Sequence, residues 1–146
     1  MPASGGDARA VTGGGVIFGG HAKLPYNRME TQDYRWLPDS RSLIYCAIRD
    51  GISNVWMTNI DGQERPVSDN KEKGVLFFDS MPSPDGKAFA WVAMSTDRSI
   101  DQRWSIWISV DGTSKQIFRS KSVINPVGWS ENGKALVGFA RATAAP

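Results

Sequence analysis

The chain has 146 residues, a net charge of +2, 40% hydrophobic residues and 22% charged ones. That composition suits a single folded domain with a real core and excludes disorder as the default reading. Its basic residues, among them Arg28, Arg49, Lys87, Arg103 and Lys121, are scattered, so no nucleic-acid or anionic-membrane surface is expected. No apolar run approaches the ~18 residues of a membrane-spanning helix. The opening Met-Pro-Ala-Ser-Gly-Gly-Asp has neither a charged nor an apolar region of a signal peptide, so none is expected in this chain.

In chain order, residues 4–12 read as a turn followed by a strand ending at Val11. Residues 13–33 read as a long connection opening on Gly13-Gly14-Gly15. A phosphate-binding loop is excluded there, because no Lys-Ser/Thr follows the glycines and Pro25 intervenes. From 34 to 69, one strand ends near Trp36 and the corner Pro38-Asp39 follows. An apolar strand then runs from Leu43 to Ile48, Asn54 to Met57 form another, and Asp61-Gly62 turns into a strand ending at Val67. From 75 to 119 the order repeats: a strand to Pro82, the corner Pro84-Asp85-Gly86, Phe89 to Val92, Ser105 to Ile108, Asp111-Gly112, and a strand to Ile117. From 123 to 141 it begins again, with a strand to Trp129, the corner Asn132-Gly133, and Leu136 to Ala140.

These segments are copies. Asp39, Asp85 and Asn132 head matching runs of ten residues, separated by 46 and then 47 positions. Asp61-Gly62 and Asp111-Gly112 match as hairpin turns, each with a Trp-bearing strand before it. The spacing from that Trp to the turn differs by one residue between copies, which a bulge would explain. Each period carries four short strands, here called a to d. Four antiparallel strands per ~40–50 residues is the signature of a propeller blade. The fold class is therefore read as all-β: β-propeller blades of four antiparallel strands in an incomplete ring, two full blades plus parts of flanking ones.

The stretches "WLPDSRSLIYCAIRDGISNVWMTNIDGQERPVS" and "PSPDGKAFAWV" resemble the WD-like repeats of TolB-type β-propellers. The likeness covers roughly residues 4–12 and 34–141, with two departures: Pro82 stands where an aromatic is expected, and Glu131 stands where proline is. The resemblance implies a non-catalytic interaction or sensor module, often extracytoplasmic. About three blades fall short of the ~4–8 of a closed ring, so a window of a longer propeller and a self-associating protomer are both open readings.

The repeat disposes of most candidate chemistry. Ser130 in Gly128-Trp129-Ser130 resembles a nucleophile elbow but aligns with a blade corner. His21 is the only histidine and Cys46 the only cysteine, so neither a metal site nor a disulfide is expected. Asp39, Asp85 and Asp111 read as turn residues, and Trp36, Trp56, Trp91, Trp107 and Trp129 as packing between blades. No catalytic residue and no cofactor are expected.

Alternating strand directions put the a–b and c–d turns on one face and the b–c and d–a connections on the other. The first face is uniform and the second varies, which is where propellers build binding surfaces. The residues read as a binding surface are His21, Lys23, Tyr26 and Arg28 on the first long connection. On the second, Ser95 to Arg103, they are Asp97, Arg98, Asp101 and Arg103, with Trp104 just beyond it and partly exposed. The expected partner is a protein or peptide, with self-association through open sheet edges as a further option. The competing readings are solvated loops without a partner, the substrate-gating propeller of a prolyl-oligopeptidase-like peptidase or a propeller lyase with its catalytic residues elsewhere, and a self-assembling structural protein.

Overall fold

The described residues of the computed structural model are 16–17 and 34–140. They form strands and turns alone. Three antiparallel sheets follow one another along the chain. The first contains β1 (Val16–Ile17), β2 (Tyr34–Trp36), β3 (Ser42–Arg49), β4 (Ile52–Asn59) and β5 (Glu64–Pro66). The second is the meander β6 (Val75–Pro82), β7 (Ala88–Ser95), β8 (Trp104–Val110) and β9 (Thr113–Ser120). The third is the hairpin β10 (Ile124–Trp129) and β11 (Leu136–Ala140). The chain is all-β and built of propeller blades, as its repeat predicts.

Each blade opens on the same corner, and the corner explains why Asp or Asn recurs there. Asp39 Oδ1 accepts the main-chain N–H groups of Arg41 and Ser42, at 2.8 and 2.9 Å. Asp85 and Asn132 accept from Lys87 and Lys134, each at 3.1 Å. In the later corners a serine hydroxyl completes the loop: Ser83 Oγ donates to Asp85 and accepts Ala88 N–H, and Ser130 repeats this with Asn132 and Ala135. The first corner has Leu37 at that position, and the hydroxyl comes from Ser42, which donates to Asp39 Oδ2 at 2.7 Å. These bonds hold the Asp39 and Asp85 carboxyls below their ordinary range.

The one-residue difference in spacing is set by turn length. The second c–d turn is a two-residue hairpin with Asp111 and Gly112 both left-handed (φ 50° and 77°), whereas the first has three residues between Asn59 and Gln63. Asn59 Oδ1 fills the first turn by accepting from Asp61 and Gln63. The bulge lies elsewhere, in β9 at Ile117, where the β8 register slips between Ile106 and Trp107.

The main core lies between the first two sheets, where Ile44, Cys46 and Val55 face Phe77, Phe89 and Trp91. A smaller cluster joins Phe78 and Val92 of the second sheet with Leu76, Met94 and Trp104 and with Ile48 of β3. The sheets are also bonded directly, Phe77 N–H to Ser53 Oγ at 2.9 Å and Trp129 Nε1 to the Met81 carbonyl at 3.4 Å.

Two expectations need correction. Residues 13–33 are not wholly connection, because Val16 and Ile17 pair with Ile48 and Ala47 along the same edge of β3 that β2 occupies further on. Of the five tryptophans expected in the core, Trp91 is buried while Trp56, Trp107 and Trp129 are half-buried. Trp36 is 58% exposed, because among the described residues no further sheet packs on its face of β2.

Candidate interaction face

The corners and turns sort the molecule into two ends. At one end the first a–b corner meets its own c–d turn: Ile60 N–H donates to the Arg41 carbonyl at 2.9 Å, and Arg41 pairs with Asp61 at 3.6 Å. At the other end the b–c and d–a connections meet. Thr96 donates both its N–H and its hydroxyl to the Gly74 carbonyl, at 2.7 and 3.0 Å. Asp101 pairs with Lys121, and Ile52 bridges to Lys73.

The connection from Ser95 to Arg103 is an organised loop. Ser95 N–H closes on the Arg103 carbonyl at 2.9 Å. Asp97 accepts the N–H and the hydroxyl of Ser99, which hold its carboxyl below the ordinary range. Asp97 and Asp101 are thus engaged in shaping the loop, while Arg98 projects into solvent and Arg103 is half-buried. Trp104 lies within β8, opposite Met94, and its ring packs against Phe78 at 6.3 Å. Of the nine residues singled out in the sequence, the loop brings together Asp97, Arg98, Asp101 and Arg103. His21, Lys23, Tyr26 and Arg28 lie outside the described residues.

Beside this loop runs a groove of about 1260 Å³ between the first two blades. Its origin is the brevity of β5. Pro66 stands opposite Trp56 and has no N–H to offer the ladder, so β5 ends after three residues while β9 continues for eight. Past Pro66 the β4 edge is met by mixed bonds: the Val55 carbonyl accepts the main-chain N–H groups of Val67 and Ser68 at 2.8 and 3.4 Å, Val55 N–H donates to Ser68 Oγ, and Asn54 Oδ1 accepts from Ser68 Oγ and Asn70 N–H at 2.7 and 2.8 Å. The uncovered part of the second sheet leaves Trp107 and Phe77 on the groove floor, with Arg65, Arg103 and Arg119 on its walls.

Three features escaped the sequence. Asp79 sits in a bulge of β6 with φ 50°, and its burial raises the carboxyl pKa although the Arg35 charge opposes this. Beside it the Ser80 hydroxyl is buried without a hydrogen-bond partner. In the first blade, Arg49 pairs with Glu64 at 2.8 Å, lies 3.6 Å above the Trp56 ring and donates to Tyr45 Oη, which itself bonds Glu64. The clue to Asp79 was a polar pair, Asp79-Ser80, inside an otherwise apolar strand. Among the described residues no three His, Cys, Asp or Glu side chains gather as a metal site would require, and no helix is long and apolar enough to cross a membrane.

Against known structures, the chain superposes on TolB from Acinetobacter baumannii with a TM-score of 0.53 and 17% identity, over 77% of this chain and 27% of that one. The fold is that of a TolB-like β-propeller. A protein assigned as TolB from Agrobacterium tumefaciens gives the same TM-score at 18% identity, over 74% of this chain and 42% of that one. Among curated proteins, dipeptidyl-peptidase 5 of Porphyromonas gingivalis is 22% identical over 141 residues, 89% of this chain. The chain spans 21% of that relative's length. No protein-family model matches the chain.

Proposed function

We propose that this chain is a non-catalytic protein- or peptide-interaction module of a TolB-like propeller, working outside the cytoplasm. The observation that carries the reading is the clasp of Thr96 on Gly74 and of Asp101 on Lys121. It joins the variable connections into one ordered surface, with Arg103 lining the interblade groove and Arg98 exposed on the same loop. Ordering before binding lowers the entropic cost of capturing a flexible partner.

The test is selection of peptides from a displayed random library on the immobilised chain. Enriched peptides should lose tenfold or more in affinity for an Arg98→Ala/Arg103→Ala variant whose circular dichroism is unchanged. Absence of enrichment, or affinity indifferent to both arginines, defeats the reading. Replacing Tyr26 and Arg28 as well tests the remainder of the proposed surface.

The likeness to a dipeptidyl-peptidase favours a second reading, the propeller part of a peptidase whose nucleophile lies in other residues. A Gly-x-Ser-x-Gly hydrolase segment in the same reading frame would support it.

A further inference from the structure

Among the described residues, three arginines line the interblade groove with no hydrogen bond or ion pair to their side chains: Arg65, Arg103 and Arg119. Arg41 and Arg49, by contrast, have carboxylates at Asp61 and Glu64.

Strand alternation accounts for Arg65. It stands opposite Met57, which stands opposite Ile44, so it shares the face of the first sheet that meets the second blade. Glu64 falls on the reverse face, where Arg49 holds it. A positive charge is left in the groove while its negative neighbour in sequence is taken to the far side.

The bulge in β9 accounts for Arg119. Gln116 is opposite Trp107 and Ser114 opposite Ser109, and that register continued would set Phe118 opposite Ser105. The extra residue at Ile117 places Arg119 there instead and turns Phe118 to the reverse face, opposite Ile106. The bulge therefore exchanges an aromatic ring for a guanidinium on the groove wall. Arg103 joins from the loop, its carbonyl fixed by Ser95 N–H at 2.9 Å.

Between these charges the floor is apolar. Trp107 is half-buried, and its indole N–H is spent on Ser105 Oγ at 3.0 Å, which fixes the ring. Met57 and Val75, also half-buried, line the same groove. Lys71 already pairs with Asp69, and among the remaining described residues of the lining cations outnumber carboxylates. The carboxylates that remain, Glu72 and Asp111, repel a continuous polyanion but spare a ligand charged at only a few positions.

We infer that the groove takes an acidic peptide segment. An aromatic or aliphatic side chain rests on Trp107, and carboxylates to either side of it pair with Arg65 and Arg119, with Arg103 adding positive potential at the loop. This rests on the peptide-binding reading above and specifies its ligand. A guanidinium meets a carboxylate with two parallel N–H···O bonds, and these arginines have no internal bond to give up first.

The displayed-library selection on the wild-type chain should enrich peptides with Asp or Glu on each side of an aromatic or aliphatic residue. The synthetic peptide of the most enriched sequence is then measured by fluorescence polarisation. Changing its acids to Asn or Gln should weaken binding by about tenfold or more. Arg65→Gln and Arg119→Gln should each weaken the acidic peptide by a similar factor, yet bind the neutralised peptide as the wild type does. Both side chains are exposed, so circular dichroism should not change. Lys115→Gln removes the same charge from the opposite face of β9 and should leave binding unaltered. Enrichment of peptides without acids overturns the inference and leaves the interaction module standing. So does binding indifferent to Arg65 and Arg119 that Arg98→Ala/Arg103→Ala still weakens. Absence of any enrichment overturns both. Competition by polyglutamate or polyphosphate as effective as the peptide itself also overturns the inference, since the groove would then hold any anion.

Discussion

Gly86 lies against Pro38: the corner of the second blade leans on the corner of the first, close enough that a Cβ on Gly86 would come within 3.4 Å of the proline ring. Gly86 is also left-handed, with φ 71°. Gly62 shares that conformation, φ 81°, with nothing within 4 Å. Gly62→Ala should therefore lose only the left-handed penalty, about 1–2 kcal/mol. Gly86→Ala should lose more, and the excess in urea denaturation measures the interblade contact. Equal losses would show that the corner tolerates a methyl group.

Trp91 is the largest buried side chain of the core, and its indole N–H has no partner. Trp91→Ala should cost about 3–5 kcal/mol by opening a cavity between the blades. Trp91→Phe should cost well under half of that, because it also removes a buried donor that contributes no bond. Equal losses in chemical denaturation would indicate an unseen acceptor for the indole.

The Arg49–Glu64 pair is far less exposed than Arg41–Asp61, with side-chain exposures of 23% and 14% against 64% and 60%. Removing Arg49 also uncovers the face of Trp56 and leaves Glu64 with Tyr45 alone among the bonds described above. Arg49→Ala should cost about 2–3 kcal/mol and Arg41→Ala under about 1 kcal/mol. Thermal denaturation at low and high salt checks both, and only the Arg41 effect should fade with salt.

Asp79 titrates above its ordinary value because burial disfavours its charge. The folded chain then holds a proton over a pH range in which the unfolded chain has released it. This contribution to stability is complete below the unfolded value and declines as pH rises through the folded one. Asp79→Asn removes the decline, and asparagine tolerates the left-handed backbone. The variant should match or exceed the wild type in stability at pH 7, with a gain that shrinks toward pH 4. A variant less stable at pH 7 would show that the Arg35 attraction outweighs burial.

Strands and corners were legible because their signals are local: Asp or Asn at the corner, Asp-Gly at the hairpin, and apolar runs between them. What sequence could not show depends on what packs where. Trp36 and Trp129 occupy equivalent positions, yet one is exposed and the other bonds a neighbouring blade. Val16 and Ile17 look like part of a glycine-rich connection until β3 pairs with them. The groove was also hidden, because it arises from a mismatch between the three-residue β5, which ends at Pro66, and the eight-residue β9. Of the proposed interaction face, the meeting of its connections followed from strand alternation, whereas the use of Asp97 and Asp101 as loop braces did not.

The meander of β6 to β9 has a kinetic consequence. Every strand in it pairs with the next in sequence, so its hydrogen bonds close short loops at small entropic cost. The corner contacts and the Phe77–Ser53 bond span longer stretches and depend on two formed sheets. Refolding should proceed blade by blade, with β7 amides protected from hydrogen exchange before the Trp129–Met81 junction forms.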